Sequence, residues 1–174
     1  MASFRTDGPL RCRSACPSDL DACLAVYASA RRFMVERGNP FQWGSAWPPE
    51  DVVAADIQAG RLWVALASAA GEKTDPVCGC FAVCEDDEPA YAHIDGAWLS
   101  DGPYVTLHRV ASDGTRPGLL AAAVETAAAF SPHIRIDTHA NNGPMRRKLA
   151  LLGFSERGTV FLDDGGERIA LERL

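Results

Sequence analysis

The chain has 174 residues, a length typical of one domain, and its 47% hydrophobic and 23% charged residues are typical of a globular protein. Seventeen basic against twenty-three acidic residues give a net charge of −6, the wrong sign for binding nucleic acid through its phosphates. The longest apolar runs, such as 119–124, are far shorter than the roughly 20 residues that span a membrane, and the N-terminus lacks the apolar stretch of a secretory signal. We therefore expect one cytoplasmic domain over residues 1–174, with neither nucleic acid nor membrane as a partner.

The cysteine pattern does not indicate a metal site. Six cysteines lie at positions 12, 16, 23, 78, 80 and 84, and no two of them have the CxxC spacing of zinc and redox sites. Cys78, Cys80 and Cys84 alternate along the apolar run VCGCFAVC, which predicts a strand with all three on one buried face.

The first third of the sequence predicts a short strand followed by two helices. The strand covers 11–15. Ser18 and Asp21 have the spacing of a capping box, and apolar residues then recur every three or four positions to about residue 37, before Gly38. A loop follows, and prolines 48 and 49 begin a second helix that Gly60 ends.

The remaining segments predict an α/β (α+β) domain built on one sheet. Two apolar runs at 61–68 and 76–85 form a hairpin, followed by a strand at 103–112 and an alanine-rich helix at 118–130. A strand at 133–140, a helix at 141–154 and a terminal hairpin that turns at Asp164 and Gly165 complete the order. The strand, helix, strand unit at 104–139 requires a parallel crossover, so we expect a mixed, mostly antiparallel sheet flanked by about four helices.

Two motifs resemble the GNAT superfamily of acyl-CoA N-acyltransferases. The loop from Val110 to Leu120 precedes the alanine-rich helix, and Asn142 is followed at family spacing by Met145 and by Gly-Phe at 153–154. The segments 39–64 and 90–112 are similar to a bacterial branch of that superfamily. The resemblance covers nearly the whole chain and implies a GNAT-like fold.

The resemblance also implies acetyl-CoA as co-substrate, with no metal. In GNAT proteins the backbone amides of the loop hold the CoA pyrophosphate at the helix N-terminus, where the helix dipole favours an anion. Thr115 and Leu120 depart from the family pattern, which has Gln or Arg and a small residue there, while Gly118 matches its central glycine. The cofactor residues that the resemblance implies are Val110, Ala111, Thr115, Arg116, Gly118, Leu119, Leu120, Asn142 and Met145.

His108 is the candidate general base for acylation of an amine. Imidazole has an ordinary pKa of about 6.5, close to working pH. Tyr104, Thr106 and His108 share strand parity, so one face carries a Tyr-Thr-His row. Many GNAT members have a tyrosine that protonates the CoA thiolate four residues before the glycine that Gly153 matches, but this chain has Leu149 there. Tyr104 or water is then the expected proton donor.

Aromatic residues in two loops are candidates for the wall of the acceptor site. They are Trp43, Trp47, Tyr91 and Trp98. The alternative for Trp43 and Trp47 is that they cover the core beneath the second helix.

We therefore expect an N-acetyltransferase that moves an acetyl group from acetyl-CoA to a primary amine of a small molecule or peptide by direct transfer in a ternary complex. The oxygen of the reacting acyl group is then met by the backbone N–H of Val110 or its neighbour. The alternative is a GNAT-fold module that binds CoA or a partner without turnover, favoured by Leu149, Thr115 and Leu120. A homodimer through the terminal strands would also fit the resemblance.

Overall fold

One mixed sheet organises the chain. The computed structural model describes residues 10–67 and 75–174, and its eight strands have the order β1-β2-β3-β5-β6-β8-β7-β4. Every neighbouring pair is antiparallel except β5 and β6, which are parallel and joined through α3. The strands are β1 (Arg11–Ser14), β2 (Leu62–Leu66), β3 (Val77–Cys84), β4 (Ile94–Gly96), β5 (Val105–Ser112), β6 (Ile134–Thr138), β7 (Ser155–Phe161) and β8 (Glu167–Arg173). The helices are α1 (Leu20–Glu36), α2 (Glu50–Gln58), α3 (Leu119–Ala128) and α4 (Gly143–Leu151).

This architecture confirms the predicted fold class, including the parallel crossover, the two hairpins and both ends of α2. Strand β4 was not predicted, because three residues carry too little periodicity to be recognised. It pairs with β7 where Gly96 faces Gly158, and a Cβ on either glycine would overlap the backbone of the opposite strand. The turn predicted between β2 and β3 falls mostly outside the described residues.

The start of α1 differs from the predicted capping box of Ser18 and Asp21, which is wrong. The Asp19 carboxylate instead accepts the backbone N–H of Cys16 at 2.8 Å and forms two hydrogen bonds with the Arg13 guanidinium, at 2.7 and 2.8 Å. Arg13 also lowers the pKa of Asp19 well below its usual range. The start of the helix therefore uses Asp19 instead of the predicted Asp21, because Asp19 pairs with the Arg13 guanidinium on β1.

The sheet carries a hydrophobic core on each face. One core packs against α3 and α4, and the other against α1 and α2. The prediction that three cysteines share a face is wrong for Cys78, which packs in the core under α3, whereas Cys80 and Cys84 pack towards α1 and α2. The reason is a bulge: Ala65 pairs with Gly79 and Leu66 with Val77, which leaves Cys78 as the extra residue and reverses the alternation.

A buried ionic cluster fixes the segment 97–104 to the sheet. The Glu172 carboxylate, fully buried on β8, lies 2.6 Å from His133 Nε2 and 3.1 Å from Arg135 Nε, and it accepts the backbone N–H of Leu99. The Arg135 guanidinium also donates to the Ser100 carbonyl oxygen at 2.6 Å. Burial raises the pKa of Glu172, but the hydrogen bonds from Leu99, His133 and Arg135 outweigh it, so the pKa lies below its usual value.

We predict that Glu172→Gln lowers the free energy of unfolding by about 3 kcal/mol at pH 7, because the amide nitrogen would face donors and leave the buried Arg135 guanidinium without its counter-charge. The folded-state pKa of Glu172 is depressed, so its contribution is fully present above the unfolded pKa of about 4.3 and is lost as pH falls through the folded value. Urea unfolding at pH 7, 5 and 4 measures this. The difference from the wild type should narrow at the lowest pH, and Glu167→Gln, at the exposed end of the same strand, is the matched control.

Candidate active site

A bulge in β5 lies at the centre of the site. Cys80 pairs with Ala111 and Ala82 with His108, so a single residue of β3 faces two residues of β5, Arg109 and Val110. Arg109 has a φ of +53°. Because of the extra residue, Leu107 and Val110, three positions apart, both face the core under α3. A bulge of this kind bends its strand.

Strands β5 and β6 are paired only at their beginning and then separate. Their described register contains two pairs, Val105 with Ile134 and Thr106 with Arg135, and the strands then diverge towards their carboxyl ends. A cleft of about 600 Å³ opens at this end. It is bounded by Val110 and the loop that follows β5, by α4, and by the C-terminal part of α1.

Seven of the nine predicted cofactor residues line this cleft: Val110, Arg116, Gly118, Leu119, Leu120, Asn142 and Met145. The other two do not. Ala111 is buried in the core against α1, and Thr115 is exposed, its hydroxyl donating to the Asp113 carboxylate at 2.7 Å.

The charge of the cleft is opposite to that of the protein. The chain has a net charge of −6, yet the charged residues that line the cleft are three cations, Arg37, Arg116 and Lys148. Asp and Glu are not among the described residues of its wall, whose remaining surface is largely apolar, including Phe33 and Met34 of α1. The cleft therefore suits an elongated ligand with both anionic and apolar parts.

The start of α3 supplies donors for such an anion. Gly118 is the N-cap, with a φ of +96°, and no side chain caps the helix. A Cβ at this position would meet nothing within 4 Å, so the backbone angle rather than lack of space favours glycine. The first-turn residues Leu119, Leu120 and Ala121 all line the cleft, and amides in a first turn have no intrahelical acceptor.

Asn142 connects the cleft to the loop between α1 and α2. Its Oδ1 accepts the backbone N–H of Met145 at 3.4 Å, as the predicted N-cap of α4, and its Nδ2 donates to Gln42 Oε1 at 3.1 Å. The same Gln42 oxygen accepts Asn39 Nδ2 at 2.7 Å and the Thr138 hydroxyl at 3.4 Å. Gln42 was not predicted from the sequence, where its one signal is that it is a polar residue between two aromatic ones in the predicted acceptor loop.

A second group of polar residues surrounds His108. Its Nε2 lies 2.8 Å from the Glu88 carboxylate, and this hydrogen bond lowers the pKa of Glu88. The Tyr91 ring lies beside it, 6.4 Å between centroids, and the Tyr91 hydroxyl donates to Asp137 at 2.9 Å. Glu88 was missed because it stands in an acidic run, EDDE, whose members are indistinguishable by sequence.

Burial raises the pKa of Tyr91, and the Asp137 carboxylate raises it further. The Tyr91 hydroxyl therefore stays protonated and keeps Asp137 as its acceptor.

Tyr104 shares the face of His108, as predicted, since both rings pack beside Tyr91. Its hydroxyl accepts the backbone N–H of Glu88 at 3.3 Å.

Leu149 is fully buried in the core under α3 and α4 and does not line the cleft.

The four predicted acceptor aromatics lie in different surroundings. Tyr91 and Trp98 pack together, 5.1 Å between centroids. Trp43 packs edge-on against Tyr27 at 5.7 Å, consistent with the alternative that it covers the core. Trp47 is 44% exposed, and its carbonyl oxygen accepts the Arg31 guanidinium at 3.0 Å.

Within residues 10–67 and 75–174, no three His, Cys, Asp or Glu side chains are grouped as metal ligands. None of the helices there is long and apolar enough to cross a membrane.

Solved structures with a similar fold include acetyltransferases of the GNAT family. A GNAT family acetyltransferase from Streptococcus agalactiae 2603 matches with a TM-score of 0.79 and 29% identity over 95% of both chains. One from Listeria monocytogenes 4b F2365 matches at 0.64 and 20% over 94% of both. An N-acetyltransferase from Staphylococcus aureus Mu50 matches at 0.58 and 18%, over 96% of this chain and 98% of that one. No protein-family model matches the sequence, and no curated protein is significantly similar to it.

The chain thus has the fold of the GNAT acyltransferase superfamily. The Streptococcus agalactiae protein matches along nearly its whole length, and this supports acetyltransferase activity at that general level.

Proposed function

We propose that this protein is an acetyl-CoA-dependent N-acetyltransferase that acylates a primary amine of a small molecule or peptide in a ternary complex. The observation that carries the proposal is the cleft beside the carboxyl end of β5. It is lined by cations and apolar residues in a protein of net charge −6. CoA has the matching chemistry, since it joins phosphates to a long, less polar arm.

The residues of the cleft fit acetyl-CoA. The first-turn amides of α3 suit its pyrophosphate, with Gly118 allowing close backbone approach, and Arg37, Arg116 and Lys148 supply positive charge. Asn142, Met145 and Val110 line the side towards β5 and β6, where the pantetheine arm would lie. When bound, acetyl-CoA supplies an acyl group activated as a thioester.

The chain's own residues then provide the proton transfers. His108 accepts the proton of the amine, directly or through water, and Glu88 orients the ring through their hydrogen bond. The backbone N–H of Val110, or of its neighbour in the bulge, donates to the acyl oxygen. Tyr104 or water is the proton donor to the thiolate, since Leu149 has no proton to give.

The second candidate is a CoA-binding module without turnover. Leu149 favours it, because this side chain is buried in the core at the position where many family members have the acid. Incubation with acetyl-CoA and a panel of amines, following free thiol, together with a separate measurement of CoA binding by calorimetry, distinguishes the two. Binding without thiol release with any amine would select the module.

We predict that Gly118→Asp abolishes acetyl-CoA binding, because it places a negative charge beside the pyrophosphate. Gly118→Asn is the matched control: asparagine has similar size and also tolerates a positive φ, but it is neutral. The dissociation constant from calorimetry should rise far more for aspartate than for asparagine. Equal affinity of the aspartate variant and the wild type, with both folded, would overturn this assignment.

We predict that His108→Gln lowers kcat by about 10² to 10⁴ at neutral pH with little change in CoA affinity, because glutamine cannot take the proton. The loss should shrink as pH rises and free amine becomes abundant. Glu88→Gln should cause a smaller loss, since the base remains but its orienting charge is gone, and Tyr104→Phe tests the thiolate donor separately. A wild-type rate for His108→Gln would leave proton removal to ordered water.

We predict that Trp47→Ala raises KM for the acceptor more than it changes CoA affinity, because this exposed indole lies in the loop that forms one wall of the acceptor site in the family. Trp43→Ala is the comparison, since Trp43 packs on Tyr27 and should mainly lower Tm. Steady-state kinetics and thermal unfolding of both variants distinguish a role in acceptor binding from a role in core packing. A large fall in Tm for Trp47→Ala with unchanged kinetics would assign this residue to the core instead.

A further inference from the structure

Arg109 adopts a backbone conformation that arginine does not favour. Among residues 10–67 and 75–174 it is the one residue other than glycine with a positive φ, +53°. In this region the Cβ atom of an L-residue crowds its own backbone, so the conformation persists only where surrounding contacts impose it. The side chain of Arg109 makes such a contact.

The contact that holds Arg109 comes from α2. Its Nη2 lies 2.6 Å from Asp56 Oδ2, and the Asp56 side chain is 3% exposed and that of Arg109 16%. The second oxygen of Asp56 pairs with Arg61 Nε at 3.1 Å. One buried carboxylate thus binds two guanidinium groups, and a charge pair this deeply buried is costly to break.

The conformation decides which side chain of β5 faces the cleft. With the bulge, Leu107 and Val110 lie on the same face, and Val110 lines the cleft. If β5 continued as a regular strand after the pair of His108 and Ala82, Arg109 would lie on the face of Leu107 and Val110 would lie on the opposite face. The bulge thus keeps a long cation out of the cleft and holds the Val110 backbone in its present position.

We propose that Asp56 is a positioning residue for the acyl-transfer site, acting through Arg109 on the bulge of β5. The ion pair ties α2, which packs on the face opposite α3, to the strand that lines the cleft. The inference rests on the proposed function in one respect, that the cleft beside Val110 binds acetyl-CoA. Asp56 does not line the cleft, so its effect depends wholly on the backbone of Arg109 and Val110.

The test compares four single variants by calorimetry with acetyl-CoA, by thermal unfolding and by the amide chemical shifts of Val110 and Ala111. Asp56→Asn and Arg109→Ala should each weaken acetyl-CoA binding about tenfold and move both amide signals. Asparagine lacks the charge, and alanine disfavours a positive φ as arginine does but has no guanidinium to pair with Asp56. Arg109→Gly should retain more affinity than Arg109→Ala, because glycine adopts a positive φ without a partner. Arg61→Gln, which removes the other partner of Asp56, should leave both the affinity and the amide signals as in the wild type.

The double variant Asp56→Asn/Arg109→Gly separates a positioning role from a purely structural one. Its acetyl-CoA affinity should equal that of Arg109→Gly alone, because Asp56 has nothing left to hold. If Asp56→Asn lowers Tm but leaves the affinity and the Val110 amide signal unchanged, the inference is wrong.

Two further results are decisive. If Asp56→Asn does not fold, the comparison of Arg109→Gly with Arg109→Ala decides, and equal affinities there overturn the inference. If the wild type fails to bind acetyl-CoA, the proposed function is wrong, whereas the amide shifts still report whether Asp56 holds the bulge.

Discussion

The separation of β5 and β6 is the constraint on which the candidate site depends. Two parallel strands that stayed paired to their ends would leave no room between them, and the loop after β5 would close directly over the sheet. Here the pairing ends after Thr106 and Arg135, and the extra residue at Arg109 bends β5 away. The cleft, the cations around it and the first turn of α3 all take their positions from this divergence.

The distribution of charge follows from the same geometry. Carboxylates near the sheet are bound to specific partners away from the cleft: Asp56 to Arg109, Glu172 to His133 and Arg135, and Glu88 to His108. The cations on the wall of the cleft, by contrast, come from three separate places, the C-cap of α1, the loop before α3, and α4. An acidic protein can therefore present a positive cleft, and composition alone would not reveal it.

The sequence predicted the fold because long periodic segments and their caps carry local information. The α3 helix, the Asn142 cap and the terminal hairpin needed no tertiary contact to be recognised. The bulges could not be predicted, because a bulge is a mismatch between two strands and is invisible in either one. Cys78 and Arg109 are both placed by such mismatches. Glu88 and Gln42 were missed for a related reason, since each acquires its role from a partner far away in the chain.

The hydrogen bonds of Gln42 have a mechanical consequence. A carboxamide oxygen has two lone pairs, yet three donors approach this one, from Asn39, Thr138 and Asn142. One donor can leave without depriving the side-chain oxygen of partners. The backbone carbonyl oxygen of Gln42 separately accepts the Arg168 guanidinium at 3.2 Å. The loop between α1 and α2 thus stays docked even if its bond to Asn142 breaks, and Asn142 is itself held by the Thr138 hydroxyl oxygen at 3.0 Å and by the N–H of Met145, so filling one half of the site need not loosen the other.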